Sequence, residues 1–296
     1  MTLNKRMAVR LAKVCLWTYD FDETRETELL EFNGQAPIRD SQIMDRRKVP
    51  TSSAGIIEYQ DVIIVSFQGT ITEFGLDGVF RFDTLIDWIQ NLRIEQLKTS
   101  STGLPGLVHE GFFSQLDLIY DQLKSALPVG GNKPIVVTGH SQGGAIATLA
   151  TKRLQNDGFR VKETYTFAAP RAGDVVFARS VRTPFHRIEF GHDIVPHVPP
   201  LLTQSTLFGS GLAALSRHFD LPDILEALGK LTKRLKKKSY QGVGKLTYRS
   251  EGGKLMSDLT AAQEKKLFTP RKRKLILAGK RLIRHHGLDH YIGMFS

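Results

Sequence analysis

The sequence predicts an α/β fold in which a mostly parallel central sheet carries helices on both faces. Three observations predict it. Short apolar runs of strand length alternate with longer stretches of helical period. One apolar run, residues 134–138 (PIVVT), enters a glycine-rich turn and leaves it directly as a helix, 144–154 (GAIATLATKRL). The chain of 296 residues is 41% hydrophobic, enough to bury a full core in one large domain spanning 1–296.

Each element has its own signal. The first twenty residues hold an apolar core broken by Arg10 and Lys13, with no small-residue cleavage site after it. That is an amphipathic first helix rather than a signal peptide, and it suits a cytoplasmic protein or one exported without a cleaved leader. Residues 56–59 and 62–67 are two strands joined by a turn at Gln60 and Asp61. Between Glu110 and Leu127, apolar residues at 112, 113, 116, 119, 120, 123 and 127 make one face of a helix. Strands follow at 164–168 and 186–190, with a helix over 174–181 between them. Residues 245–249 and 254–257 flank a Glu-Gly-Gly turn and predict a hairpin.

Composition excludes several classes. The lone cysteine, Cys15, rules out an internal disulfide and a Cys-rich zinc site, and its apolar neighbours Val14, Leu16 and Trp17 predict a core-filling role. No run of about 18 apolar residues exists to span a membrane as a helix. The net charge of +11 is carried wholly by the last quarter, where residues 229–296 hold 18 Lys and Arg against 4 Asp and Glu. Two runs dominate that basic region of about 229–286: 230–238 (KLTKRLKKK) and 271–284 (RKRKLILAGKRLIR). In the second, Leu275, Ile276, Leu282 and Ile283 share one helical face, so it has the character of a basic amphipathic helix suited to an anionic membrane surface, or to the protein core with its charges in solvent. No zinc-finger spacing or RNA-binding signature accompanies the charge, so no nucleic-acid partner is expected.

Residues 139–143 read GHSQG. The five-residue pattern alone is weak, but here an apolar strand runs into it and a helix runs out. Such a strand-to-helix elbow holds its serine in a strained conformation, and its glycines admit the close approach of neighbouring backbone. A serine hydroxyl becomes a nucleophile once a base takes its proton, and on folds with this elbow the acid and then the histidine follow the serine in the chain.

Around that elbow the sequence resembles the class 3 lipase family, the fungal-type α/β-hydrolase lipases. The resemblance rests on ordered blocks: 63–70 (IIVSFQGT), 87–92 (DWIQNL), 108–112 (VHEGF), 166–173 (TFAAPRAG) and 192–200 (HDIVPHVPP). Gln68 stands where the family usually carries arginine, and His192 where it usually carries asparagine. The resemblance implies an α/β-hydrolase with a lid segment, and a serine ester hydrolase acting on lipid esters, triacylglycerol lipase-like, through an acyl-enzyme. It implies Ser141 as nucleophile, Asp193 as acid, and Thr70 with the backbone N–H of Gln142 as oxyanion hole. It implies no metal and no cofactor.

The base must follow Asp193, and the candidates are His197, His218, His285, His286 and His290. His197 lies between prolines only four residues from the acid and is read as a loop brace. His285 and His286 end the basic helix, where histidine favours the helix dipole without any catalytic duty. His290, in Leu288-Asp289-His290-Tyr291, is similar to the family's C-terminal block and is the expected base. Asp174, the rival acid, sits where a helix cap is expected. Residues 71–86 (ITEFGLDGVFRFDTLI) follow the oxyanion position and resemble the family's lid, and the apolar stretch 201–215 is a candidate lining for an acyl groove. Two other functions suit these features: a phospholipase at anionic membranes, and a non-catalytic lipid-binding relative of the hydrolases.

Overall fold

The computed structural model describes residues 2–20, 39–44, 53–69, 95–128, 133–193, 195–199, 240–259, 262–264, 266–267 and 285–295. The expected lid 71–86, Thr70, His218, the stretch 201–215 and both basic runs lie outside the described residues.

In chain order the elements are α1 (Lys5–Asp20), β1 (Arg39–Met44), β2 (Ser53–Glu58), β3 (Ile63–Phe67), β4 (Gln96–Lys98), the one-turn α2 (Thr99–Thr102), β5 (Leu107–His109), α3 (Glu110–Ala126), β6 (Ile135–His140), α4 (Gln142–Asn156), β7 (Val161–Phe167), α5 (Val175–Ser180), β8 (Phe185–Phe190), β9 (Lys245–Arg249), β10 (Leu255–Leu259) and α6 (Leu288–Ile292). Eight strands form one sheet in the order β1-β2-β3-β6-β7-β8-β9-β10, while β4 and β5 make a separate two-stranded ribbon. The run β3-β6-β7-β8-β9 is parallel, and the pairs β1–β2, β2–β3 and β9–β10 are antiparallel.

Alternation along the strands sends side chains to two cores. Ile63, Val65 and Phe67 of β3, with Ile135 and Val137 of β6, enter one core; Ile64 and Val136 enter the other. The first core is closed by α3 and α4. Phe112, Phe113, Leu116, Ile119, Tyr120 and Leu123 of α3 are buried there, the face that the helical spacing predicts. The second is closed by α1 and the C-terminal segment: Leu11, Val14, Cys15 and Trp17 pack with Leu288, Tyr291 and Met294. Covering both faces satisfies the apolar strands and draws the two chain ends together against the sheet. Cys15 fills core space as expected.

Strand β1 lacks a strong sequence signal, because RDSQIM carries only two apolar residues; register with β2, from Arg39 opposite Glu58 to Met44 opposite Ser53, places it at the edge. Asp174 caps α5, its Oδ1 accepting the N–H of Phe177 at 2.8 Å. His197 is buried in a short 3-10 turn, Val195–His197, and its carbonyl is held by the buried Arg171 at 3.0 Å, so the histidine belongs to the bracing of that loop. Desolvation lowers the Arg171 guanidinium to about 10.

Candidate active site

The parallel strands β6 and β8 end on the same edge of the sheet, and the elements that leave them carry the site. Ser141 follows β6 at once and caps α4 with φ 54° and ψ −131°, a left-handed conformation that costs a non-glycine residue on the order of 1–3 kcal/mol. The surroundings enforce it. The Ser141 N–H donates to the Phe167 carbonyl at 2.9 Å. A Cβ on Gly143 would meet the Phe67 carbonyl oxygen at 2.1 Å, and one on Gly139 would meet the Gly143 oxygen at 2.3 Å. Strand, turn and helix therefore approach too closely for any side chain but hydrogen, and the serine points its Oγ out of the elbow.

Asp193 follows β8 and is 1% exposed. Three donors face its carboxylate: Val195 N–H on Oδ1 at 3.0 Å, and the Tyr291 hydroxyl at 2.7 Å and His286 Nδ1 at 2.9 Å on Oδ2. The other nitrogen of that imidazole, His286 Nε2, lies 2.9 Å from Ser141 Oγ. Because the carboxylate only accepts, the Nδ1 of His286 carries the hydrogen and Nε2 is left to accept from the serine hydroxyl.

The ring that meets Ser141 thus belongs to His286, and the expectation of His290 is corrected. His290 is the third residue of α6 and stacks on Phe190, ring centroids 4.9 Å apart and planes at 9°. His286 lies in the turn before α6, closed by the next residue, Gly287, which caps the helix. The expected dipole role of His285 and His286 also gives way, because each ring contacts the acid loop: His285 Nδ1 accepts the His192 N–H at 2.9 Å while His286 meets Asp193. One signal in the sequence could have found this. Gly287 opens a short helix with Asp289 in its first turn, which puts His290 inside a helix and leaves His286 on the loop before it.

Gln142 is the first residue of α4, directly after Ser141, and its side-chain amide donates to Gln115 Oε1. Its backbone N–H stands at a helix N-terminus, where positive potential favours a developing oxyanion. Sequence reasoning missed three further residues of the site. Tyr291 supports Asp193. Tyr19, near the end of α1, hydrogen-bonds His140 Nδ1 through its hydroxyl at 2.9 Å, and His140 Nε2 lies 2.8 Å from the His286 carbonyl oxygen. Burial, with a smaller contribution from His286 nearby, holds the His140 imidazole well below the usual histidine range, so it is neutral. Among the described residues no group of three or more His, Cys, Asp or Glu side chains is placed to hold a metal ion.

A serine hydroxyl against an imidazole whose other nitrogen meets a buried carboxylate, with a helix N-terminus beside it, is an arrangement suited to acyl transfer. Comparison with known proteins agrees. Residues 78–203 match the family described as Lipase (class 3). The chain is 33% identical over 147 residues to the secreted mono- and diacylglycerol lipase 1 of Fusarium solani, covering 47% of this chain and 40% of that one. It is 35% identical over 101 residues to the secreted mono- and diacylglycerol lipase A of Penicillium cyclopium, covering 32% and 33%. These matched stretches span less than half the length of either relative. In structure the chain is similar to the triacylglyceride lipase of Rhizomucor miehei, with a TM-score of 0.61, 16% identity and 96% of each chain covered. That likeness shows the fold, an α/β-hydrolase.

Proposed function

We propose, from the match of residues 78–203 to the class 3 lipase family, that this protein is a serine hydrolase of lipid esters. The observation that carries the reading is the unbroken contact chain from Ser141 Oγ through His286 to Asp193, at 2.9 Å and 2.9 Å. In this reading His286 Nε2 takes the Ser141 proton as Oγ attacks the ester carbonyl. The charge on the carbonyl oxygen is met by the Gln142 N–H and by Thr70. The tetrahedral intermediate collapses, His286 returns the proton to the departing alcohol, and an acyl-enzyme remains. Water, deprotonated by the same imidazole, releases the fatty acid. Asp193 holds the ring in the productive tautomer and offsets its positive charge while the proton is in transit. No cofactor enters this chemistry.

The substrate class follows the same line. The matched relatives are named mono- and diacylglycerol lipases, which supports an acylglycerol here. Residues 71–86 serve as the lid and the whole chain as one hydrolase domain. The test is hydrolysis of p-nitrophenyl esters of increasing acyl length, wild type against Ser141→Ala. A loss of several powers of ten in kcat is expected. Equal rates in the two proteins would leave only a lipid-binding relative of the hydrolases.

One feature favours a second reading of the substrate surface. With 18 basic against 4 acidic residues, segment 229–296 is suited to anionic lipid, and a phospholipid acyl ester would be presented on such a surface. Sedimentation with vesicles of phosphatidylserine and phosphatidylcholine should show binding at low salt that weakens steeply as salt rises. Absent or salt-insensitive binding counts against this surface.

A further inference from the structure

The N-terminal helix reaches the site through one side chain. Tyr19 lies in the last turn of α1, and its hydroxyl oxygen takes the backbone N–H of Gly69 while its hydrogen goes to His140 Nδ1. The fit at Gly69 is close: a Cβ there would stand 2.0 Å from the Tyr19 hydroxyl. The same tyrosine's backbone carbonyl accepts from Gln68 Nε2 at 3.2 Å. One residue of α1 thus holds the strand end that leads into Thr70 and also the residue before Ser141.

Every hydrogen in the chain can be assigned. The His286 carbonyl only accepts, so His140 Nε2 must carry a hydrogen to donate across the 2.8 Å contact. His140 is neutral, so its Nδ1 is bare and accepts from the tyrosine. The Tyr19 oxygen then has a lone pair for Gly69. The result is a single directed path, from Gly69 N–H to Tyr19 O–H to His140, and from His140 to the backbone of His286. The reaction steps do not use it, yet it ends on the backbone of the residue whose imidazole meets the serine.

We propose that Tyr19 is a positioning residue for the hydrolysis, acting through the tautomer of His140 on the backbone of His286. The proposal rests on the serine-hydrolase reading. Its physical basis is tautomer choice: without the tyrosine's hydrogen, His140 gains the option of protonating Nδ1, and in that tautomer Nε2 no longer donates to the His286 carbonyl. The base then has a looser seat, and a displacement of about 1 Å at a reacting group costs on the order of 10²-fold in rate. The aromatic ring of the tyrosine supplies packing that phenylalanine retains, so the hydroxyl can be tested by itself.

The experiment compares Tyr19→Phe, His140→Leu, His140→Gln and Ser141→Ala in p-nitrophenyl butyrate hydrolysis, with kcat expressed per folded molecule by near-ultraviolet circular dichroism. Tyr19→Phe should lose roughly tenfold in kcat with KM within about twofold, because the seat of the base changes and the substrate surface does not. His140→Leu should lose at least as much. His140→Gln should recover most of that loss, since its side-chain amide reaches the position of the ring Nε2 and can donate to the same carbonyl. The low-field proton resonance of the His286–Asp193 hydrogen bond should broaden or shift in Tyr19→Phe and return towards wild type in His140→Gln. Wild-type kcat in Tyr19→Phe, or glutamine no better than leucine at 140, overturns the proposal while the hydrolase reading stands. If Tyr19→Phe does not fold, the comparison of glutamine with leucine at 140 decides alone. Undiminished turnover by Ser141→Ala overturns the hydrolase reading, and the proposal with it.

Discussion

His290 lies face to face with Phe190, centroids 4.9 Å apart and planes nearly parallel at 9°, which commits its ring to the end of β8. The imidazole at the serine is that of His286, four residues earlier, and the two histidines therefore have separable roles. His286→Ala should reduce kcat for a p-nitrophenyl ester by about 10⁴-fold or more, as removal of a triad base does. His290→Ala should stay within a few-fold of wild type and lose a modest amount of stability from the ring stack. Steady-state kinetics on the two purified variants makes the comparison. Collapse of activity in His290→Ala with retention in His286→Ala would return the base to His290.

Asp174 was the rival for the acid, and its carboxylate accepts the Phe177 N–H at 2.8 Å as the cap of α5. Asp174→Ala should therefore cost about 0.5–2 kcal/mol of stability, the usual cost of losing a side-chain cap, and leave kcat per folded molecule unchanged. Urea unfolding followed by circular dichroism measures the first and ester hydrolysis the second. Asp193→Asn should behave in the opposite sense, with a large fall in kcat, because an amide at that position cannot hold the His286 imidazolium.

The buried imidazole of His140 predicts the direction of acid sensitivity. Burial places its folded-state pKa well below 6.5, so the unfolded chain binds a proton in a range where the folded protein does not. Its contribution to stability is present above about pH 6.5 and is lost as pH falls below that value, at a slope of up to about 1.4 kcal/mol per pH unit. The urea midpoint should decline below pH 6.5 for wild type, and the decline should be shallower in His140→Gln. Parallel curves for the two proteins would show that His140 takes no part in it.

Cys15 offers a probe of the α1 face of the core. Its Sγ lies 3.4 Å from Thr138 Oγ1 and 3.8 Å from Ser66 Oγ, and burial pushes the thiol up to about 12. The native protein should be inert to an aromatic disulfide reagent at pH 8 and should release one thiol per chain in guanidinium chloride, since the sequence holds one cysteine. Rapid labelling of the native state would mean that α1 opens readily from the sheet. Because Tyr19 lies on the same helix, such opening would also predict loss of ester hydrolysis.

Much of this architecture could be read along the chain because the signals are local. The period of the apolar residues in α3, the strand-elbow-helix run around Ser141, and the cap at Asp174 each involve residues close in sequence. Edge strand β1 was not legible, since only its pairing with β2 makes RDSQIM a strand. At the site, the elbow pointed to Ser141 and the family resemblance to Asp193, whereas five histidines after Asp193 competed for the base, with only the helix start at Gly287 to tell His286 from His290. The block around Asp289 and His290 was the nearest match to a family pattern, and it pointed to a ring that the helix carries away.

What the sequence determined by itself, then, is the elbow, the alternation of the central strands and helices, and the chemistry its serine is suited to, because these follow from backbone sterics and from the spacing of neighbours. What only the tertiary structure decided is which imidazole completes the arrangement and what holds it there. His286 is 145 residues from Ser141 and 93 from Asp193, and Tyr19 is 121 from His140. Contacts over such separations depend on how the two chain ends pack against one sheet face, and a hydrogen bond is won or lost over less than an ångström, a distance that sequence spacing does not encode.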